Sequence, residues 1–299
     1  MTGAMWAVTA GIGFGVFQTI NRRAVSKMDV FVATFLQLLV SAIVLGAAAL
    51  ATEDISLLID APIKANIYFA LAGLLHFAIG WTFLNASQKR IGAARTGALI
   101  GTTPLFGAFI AFITLDEALS LLTLVGIVLT TSGVIYTNNP LNKAKGNANG
   151  VLPAGGWQTL WVALGAPICW SISPILIRRG LEGLDSPLLG VTVGITASVL
   201  AYGVLLFMRG LEKSFATLSS EALTLKIIAG VLVGLSTWAR WLALDLTAVA
   251  TVLALSLASV PTVNLLTPLM VERHVEQVTL AVWIGSALII LGSLVLILT

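Results

Sequence analysis

Residues 72–133 read AGLLHFAIGWTFLNASQKRIGAARTGALIGTTPLFGAFIAFITLDEALSLLTLVGIVLTTSG, and the markers in this stretch recur in the second half of the chain. Three apolar segments are separated first by a basic turn and then by an acidic pair. Self-similarity at a nearly constant spacing indicates an internal duplication. The matched pairs, 156 to 159 residues apart, are Arg22 and Arg178, Gly73 and Gly230, Trp81 and Trp238, Pro104 and Pro261, Glu117 and Glu276, Gly126 and Gly285, and Gly133 and Gly292.

The composition indicates whether water or lipid surrounds the folded protein. Hydrophobic residues make up 58% of the chain and charged residues 10%, whereas soluble domains carry about 25% charged residues. A soluble chain of 299 residues could not bury this much apolar surface, so lipid must surround it. The net charge of +3 gives no reason to expect a nucleic acid partner. Cys169 is the only cysteine, which excludes a disulfide within the chain.

Ten apolar runs are long enough to cross a bilayer, whose core of about 30 Å requires ~20 apolar residues per helix. We therefore predict an all-α integral membrane protein with ten transmembrane helices. Residues 138–157 are rich in Asn, Gly, Pro and Lys and form the predicted linker between a first domain, residues 1–137, and a second, residues 158–299. The predicted spans are residues 5–25, 30–51, 66–86, 93–115, 121–137, 158–180, 187–208, 225–246, 250–271 and 278–298.

The number of spans in each half fixes how the halves are related. Five spans reverse the direction of the chain, so the two five-helix repeats would be inverted around a shared central cavity near the middle of the membrane. Lys and Arg are concentrated in the loops after odd-numbered spans, twelve against three, which favours both termini outside. One miscounted span would reverse that assignment, so the sequence leaves the orientation open.

Ionisable side chains inside a span are costly and mark functional sites by default. Arg240 lies well inside the eighth span, where it could face a cavity, snorkel to the interface or pair with Asp245. A spacing of five residues is poor for an ion pair on one helix, which favours the cavity. His76 in the third span could bind a solute or only hydrogen-bond a neighbouring helix. We include both Arg240 and His76 in the candidate site.

The other candidate residues are aromatic, small or amide side chains on the faces of the first, third, sixth and eighth spans. Gln18 would be unsatisfied in hydrocarbon unless it faced a cavity, although helix packing is the alternative for its stripe. Pro104 and Pro261 interrupt the fourth and ninth spans and are predicted kinks, because proline removes a helical hydrogen bond. The predicted binding residues are Phe14, Gln18, His76, Gly80, Trp81, Asn85, Trp170, Trp238 and Arg240.

No constellation for catalysis or metal binding emerges from the sequence. The two histidines and the single cysteine lack the spacing of a metal site. Glycines at positions 11, 13 and 15 lie inside a span and lack the strand-to-helix setting of a dinucleotide site. We therefore predict no metal, no cofactor and no enzyme activity. A channel would need a continuous polar pore, which these apolar spans do not supply.

The tandem five-span repeats and the series Pro104, Glu117, Gly126 and Gly133, with its echo in the second half, resemble the drug/metabolite transporter superfamily in its EamA-type two-domain form. The spacing from proline to glutamate departs from the repeat, since it is 13 residues in the first half and 15 in the second. The resemblance implies ten helices around a central cavity, lined by the third, fourth, eighth and ninth helices with the first and sixth.

The resemblance also sets the functional expectation. Members of the superfamily export amino acids, other metabolites and drugs, or exchange nucleotide sugars and phosphate sugars. The tryptophans and the scarcity of cations in the spans look most like the bacterial amino acid exporters, including those for aromatic amino acids. We expect a multi-pass protein of the cell inner membrane that functions as a monomer in the lipid bilayer and exports a small-molecule substrate by alternating access. Proton coupling and facilitated diffusion both stay open.

Overall fold

The computed structural model describes residues 2–116, 120–138, 156–210, 215, 218–270 and 280–298, and every regular element in them is helical. Most of the predicted linker, residues 139–155, lies outside the described part of the chain. The first half contains α1 (Thr2–Ser26), α2 (Val30–Thr52), α3 (Ser56–Asp60), α4 (Ile63–Gly73), a π-helical turn (Leu74–Gly80), α5 (Trp81–Ile100), α6 (Thr103–Leu115) and α7 (Leu121–Asn138). The second half contains α8 (Gly156–Leu181), α9 (Pro187–Met208), α10 (Ser220–Leu246), α11 (Val249–Leu255), a 3-10 turn (Ser256–Ala258), α12 (Ser259–Met270) and α13 (Leu280–Ile297).

The described helices identify a multi-pass membrane protein. Six segments are long and apolar enough to cross a bilayer, and four further apolar helices are shorter. The six long segments are Thr2–Ser26, Val30–Thr52, Ile63–Arg90, Trp161–Leu181, Pro187–Met208 and Ser220–Leu246. The four shorter ones are Thr103–Leu115, Leu121–Tyr136, Val249–Val263 and Trp283–Ile297. All ten overlap predicted spans, while the number that crosses the bilayer stays a prediction.

The boundary between the third and fourth predicted spans differs from the structure. The sequence predicts a basic turn near Lys89, but α5 continues through that position to Ile100. The helix is interrupted instead at Gly101 and Thr102. Within a helix, proline lacks the N–H that would donate to the carbonyl group four residues earlier, and its ring collides with that group, but proline is well tolerated in the first turn of a new helix. Pro104 therefore sets the helix break just upstream of itself. Lys89 lies within α5, and its Nζ donates to the Met28 carbonyl oxygen at 3.0 Å.

Side chains that cap the helix starts explain several boundaries. Asp29 Oδ1 accepts hydrogen bonds from the backbone N–H groups of Phe31, at 2.8 Å, and Val32, at 3.3 Å, which fixes the start of α2. Ser186 caps α9 by accepting from the Leu189 N–H at 3.2 Å. Such caps satisfy backbone donors that have no partner within the helix, so they locate the helix ends in the sequence.

Extensive packing joins the two halves of the chain. Helix α1 lies against α10, and α8 lies against α4, the π-helical turn and α5. Helix α2 also packs on α10, whereas α9 packs on α4, and α7 pairs with α13. A helix of one half is thus covered by a helix of the other, and the central core is built from both.

The neighbouring arginines Arg22 and Arg23 are the repeat counterparts of Arg178 and Arg179, and one arginine of each pair contacts an opposite end of α10. Arg23 Nη2 lies 3.0 Å from Glu221 Oε1 at the start of α10, and Arg178 Nη1 donates to the Leu244 carbonyl oxygen at 2.6 Å near its end. At a rise of 1.5 Å per residue, these two positions on α10 are about 35 Å apart. The C-terminal ends of α1 and α8 therefore lie at opposite ends of the molecule.

Candidate functional site

A cavity of about 50 Å³ lies between α1, α5, α8, α10 and the segment around the 3-10 turn. A water needs about 10–15 Å³ by this measure, so the space holds a few waters in this conformation. Six of the nine predicted binding residues line it, namely Phe14, Gln18, His76, Trp81, Trp170 and Arg240. Sequence reasoning had therefore found residues from four different helices that meet at one place.

Arg240 is the cation of this cavity among the described residues that line it. Its side chain is buried, and its Cζ lies 5.9 Å from the centre of the Phe14 ring. The Nη2 atom has no hydrogen-bond partner, and the ion pairs of the described residues do not include Arg240. A buried guanidinium without a counter-ion is costly, and the arrangement leaves the Nη2 donor free for an anionic group that enters the cavity.

Aromatic rings form part of the cavity wall. The Trp170 and His76 rings stack, with centroids 5.6 Å apart and an interplanar angle of 25°. Trp170 Nε1 donates to the His76 carbonyl oxygen at 3.2 Å, while His76 Nδ1 lies 2.7 Å from Ser173 Oγ. A Cβ atom at Gly80 would lie only 2.6 Å from Trp170 Nε1. Gly80 thus leaves the room that the indole occupies and supports the site without lining the cavity.

The π-helical turn rotates the third span relative to its repeat counterpart. On α10 the cavity-lining Val233 and Arg240 are seven residues apart, or about two α-helical turns. On the third span the cavity-lining His76 and Leu84 are eight residues apart. A π-type turn holds one extra residue, so each later side chain is rotated by about 100°. Such turns are frequent at functional sites.

This rotation separates the repeat-matched tryptophans. Trp81 is buried and lines the central cavity. Trp238 instead lines a separate apolar groove between α1 and α10, together with Trp6 and Leu235. The sequence offset alone suggested one shared role for the two indoles, and the structure puts them in different surroundings.

The other candidates lie outside the cavity wall. Pro104 is the second residue of α6, which follows the helix break at Gly101 and Thr102. Pro261 is the third residue of α12, which follows the 3-10 turn. Asn85 is fully buried one residue beyond Leu84, where it donates to Thr34 Oγ1 at 2.9 Å. Asn85 Oδ1 also accepts from Asn21 Nδ2 at 3.0 Å. Asn85 therefore belongs to a cluster of buried polar side chains at one end of the cavity, the polar cluster, whose other members are Asn21, Gln37, Gln88 and Lys226.

Lys226 is the centre of that cluster, and sequence reasoning missed it. The sequence assigned Lys226 to a loop charge at the membrane surface, but its side chain is fully buried in the second turn of α10. Its Nζ donates to Asn21 Oδ1 and, at 2.7 Å, to Gln37 Oε1. One available signal was the spacing, because Lys226 precedes Arg240 by fourteen residues, which is close to four helical turns.

Within the residues that the structure describes, no group of three or more His, Cys, Asp or Glu side chains could hold a metal ion. The polar side chains that line the cavity include those of Gln18, His76, Thr103, Ser256 and Ser259, with Arg240 as the charge. This set can bind a small solute by hydrogen bonds and one ionic contact.

Comparisons with known proteins agree with this description. No curated protein matches the sequence. One solved structure, described only as the "Crystal structure of protein", superposes with a TM-score of 0.73 at 19% identity over 97% of this chain and 95% of that chain. At that identity the likeness shows the fold alone. The model of the EamA-like transporter family matches residues 1–139. Residues 1–139, just under half of the chain, are therefore similar to the EamA-like transporter family, which is part of the drug/metabolite transporter superfamily.

Proposed function

We propose that the protein exports neutral or aromatic amino acids through its central cavity by alternating access. The observation that carries this proposal is the Nη2 atom of Arg240, which is buried without a hydrogen-bond partner in a cavity with aromatic walls. An α-carboxylate supplies the acceptor that this guanidinium lacks, because arginine and carboxylates form paired, charge-assisted hydrogen bonds.

The remaining groups of an amino acid also find partners in the cavity. Its ammonium group would donate to Gln18 and to the hydroxyl groups of Ser256 and Ser259. Its side chain would lie against Trp81 and Trp170, with aromatic contacts worth about 1 kcal/mol each beyond burial. Such apolar surfaces discriminate weakly, since one methylene changes the transfer free energy by only ~0.8 kcal/mol. We therefore expect several neutral amino acids to be carried.

The proposal includes an inverted five-helix repeat in a ten-helix membrane protein. Matched positions from both halves line the cavity, and the arginine pairs at the ends of α1 and α8 contact opposite ends of α10. Both observations support a pseudo-two-fold axis in the membrane plane, as in transporters built from inverted repeats. The matched cavity positions are Phe14 and Trp170, His76 and Val233, and Ile100 and Leu257.

The size of the cavity supports a mechanism with more than one conformation. A space of about 50 Å³ is smaller than the pockets of roughly 300 Å³ or more that enclose organic ligands. The cavity must therefore enlarge to admit an amino acid, and packed helices do so by switching between discrete arrangements.

We propose that the protein acts as a monomer in the cell inner membrane.

Export of drugs or other metabolites, or exchange of nucleotide sugars or phosphate sugars, is the alternative function. A phosphorylated substrate carries about two negative charges and is usually held by several Arg or Lys side chains. Arg240 is the only Arg or Lys among the described residues that line the cavity. This charge count favours a solute with one carboxylate.

The test is counterflow of L-phenylalanine in proteoliposomes that contain the purified protein. Wild-type protein should exchange L-phenylalanine with saturation, and L-phenylalaninamide, which lacks the carboxylate, should compete at least about tenfold less well. Arg240→Gln should lose this preference for the carboxylate, whereas Arg240→Lys should keep part of it. Equal competition by the acid and the amide in the wild type would overturn the assignment of the substrate class.

A further inference from the structure

Lys226 is a second buried cation without a counter-ion. Its side chain is fully buried, and its Nζ is held by two neutral amide oxygens, those of Asn21 and Gln37. The ion pairs among the described residues do not include it. An ammonium taken out of water without a carboxylate partner is costly and marks a functional position in a membrane helix.

Lys226 and Arg240 lie close to the same face of α10. They are fourteen residues apart, with the cavity-lining Val233 midway between them, so about 21 Å of helix separates them. On α1, which packs along α10, Gln18 and Asn21 continue the stripe that begins at the cavity. Two cations and two amides therefore follow one line from the cavity to one end of the molecule.

An apolar floor separates the cavity from the lysine. Phe17, Leu84 and Val233 line the cavity and are almost fully buried. One or two turns further along the same three helices lie Asn21, Gln88 and Lys226, which all belong to the polar cluster. The floor is thus thin, and the cluster lies directly beyond it.

The cluster contains more hydrogen-bond donors than acceptors. Asn21 Nδ2 donates to Asn85 Oδ1 at 3.0 Å and to Gln88 Oε1 at 3.3 Å. The Nε2 atoms of Gln37 and Gln88 are buried and have no partner. The Lys226 ammonium has three donor hydrogens and uses two of them. What the cluster lacks is an acceptor, and a carboxylate offers two oxygens that accept several hydrogen bonds.

We propose that Lys226, with Gln37 and Gln88, is a second carboxylate-binding site on the route between Arg240 and the Glu221 end of the molecule. The site receives the carboxylate of the transported solute after the floor of Phe17, Leu84 and Val233 opens. This inference rests on the proposed function. Beyond the site, the exposed Arg23 and Lys27 share the single carboxylate of Glu221, so the exit is also positively charged.

The experiment compares binding with exchange in Lys226→Met, Lys226→Arg and wild-type protein. L-Phenylalanine binding at equilibrium reports the central cavity, and counterflow in proteoliposomes reports passage past the second site. Lys226→Met should bind within about twofold of the wild type but exchange about tenfold more slowly, because a lost charge on the route changes rates more than the affinity of a distant site. Lys226→Arg should keep most of the exchange rate.

Lys89→Met is the matched control, since Lys89 donates to a backbone carbonyl oxygen at the same end of the molecule and is not part of the cluster. Gln88→Leu keeps the buried charge and removes the unpaired Nε2 donor together with the Oε1 atom that accepts from Asn21. It replaces Lys226→Met as the test if that variant does not fold, with an expected loss of exchange of about threefold. Wild-type exchange rates in both cluster variants would overturn the inference alone. Wild-type protein that does not take up L-phenylalanine would overturn the proposed function and this inference with it.

Discussion

Gly126 and Gly292 face each other across the interface of α7 and α13. A Cβ atom at Gly126 would lie 3.1 Å from the Gly292 carbonyl oxygen, and a Cβ atom at Gly292 would lie 2.8 Å from the Gly126 carbonyl oxygen. A Cβ atom at Gly133, whose repeat counterpart is Gly292, would lie 2.6 Å from the carbonyl oxygen of Gly285, whose counterpart is Gly126. Gly126 thus meets the repeat counterpart of Gly133, and Gly133 meets the repeat counterpart of Gly126. A two-fold relation between the repeats produces this pair of contacts.

The first prediction concerns this interface. Gly292→Ala should destabilise the protein by about 1–3 kcal/mol, because the added methyl group collides with backbone and forces the helices apart. Gly46→Ala is the control, since no atom lies within 4 Å of the added Cβ, and it should be neutral or slightly stabilising by helix propensity. Thermal unfolding in detergent measures both. Equal midpoints for the two variants would contradict the packing argument.

The second prediction concerns the inverted repeat. Arg23 and Arg179 have half-exposed side chains, whereas the native Cys169 is buried. Arg23→Cys and Arg179→Cys should therefore react with an impermeant thiol reagent from opposite sides of the membrane. Sealed vesicles of known orientation provide the measurement, and unsubstituted protein gives the background from Cys169. Labelling of both positions from the same side would rule out the inversion.

The third prediction concerns the helix breaks beside the prolines. Pro104 follows the break after α5, and Pro261 follows the 3-10 turn after α11. We expect Pro104→Ala and Pro261→Ala to slow exchange of L-phenylalanine more than they weaken its binding, because an alanine lets the flanking helices join and resist bending. Counterflow and equilibrium binding on the same preparations separate the two effects. Unchanged exchange in both variants would exclude these breaks as hinges.

Much of this architecture follows from the sequence, because apolar length and repeat spacing are local properties. The overlap of all ten apolar segments with predicted spans rests on composition alone, and helical spacing led to the cavity positions of Phe14 and Arg240. The extension of α5 to Ile100 was not predicted, because the basic residues near Lys89 resembled a loop. There the steric effect of Pro104 on the preceding residues decided the boundary, and the charges did not.

Two features of the site depend on tertiary contacts that the sequence does not display. The π-helical turn at Leu74–Gly80 changes which face Trp81 occupies, although the repeat offset to Trp238 is unaltered. The burial of Lys226 depends on the amide oxygens of Asn21 and Gln37, which come from two other helices. Neither a helical period nor a charge count distinguishes such a lysine from one at the membrane surface.

The fourth prediction concerns the indole of Trp170. Gly80→Ala would bring a methyl group to within 2.6 Å of Trp170 Nε1 and so displace the ring from the His76 carbonyl oxygen. We expect the affinity for L-phenylalanine to fall about fivefold, which corresponds to roughly 1 kcal/mol of aromatic contact. Gly203→Ala is the control, since its nearest neighbouring atom is 3.9 Å from the added Cβ. Equal affinities in the two variants would show that Trp170 does not contact the bound L-phenylalanine.

The last prediction separates the two repeat-matched tryptophans. Trp81 lines the cavity beside Arg240, whereas Trp238 lies in the groove beside Trp6. Trp81→Leu should weaken binding of L-phenylalanine about fivefold, because a cavity-facing ring contributes roughly 1 kcal/mol of aromatic contact. Trp238→Leu should leave that affinity unchanged within about twofold, although it removes the same indole from the matched position of the repeat.

L-Alanine is the internal reference for both tryptophan variants, since its methyl group is too small to gain aromatic contacts. Competition by L-alanine should therefore respond little to either substitution, and the ratio of the two affinities isolates the side-chain wall from effects on folding. A drop in L-phenylalanine affinity with Trp238→Leu as large as with Trp81→Leu would mean that both indoles reach the bound solute. The rotation caused by the π-helical turn would then have to be undone in the substrate-bound conformation.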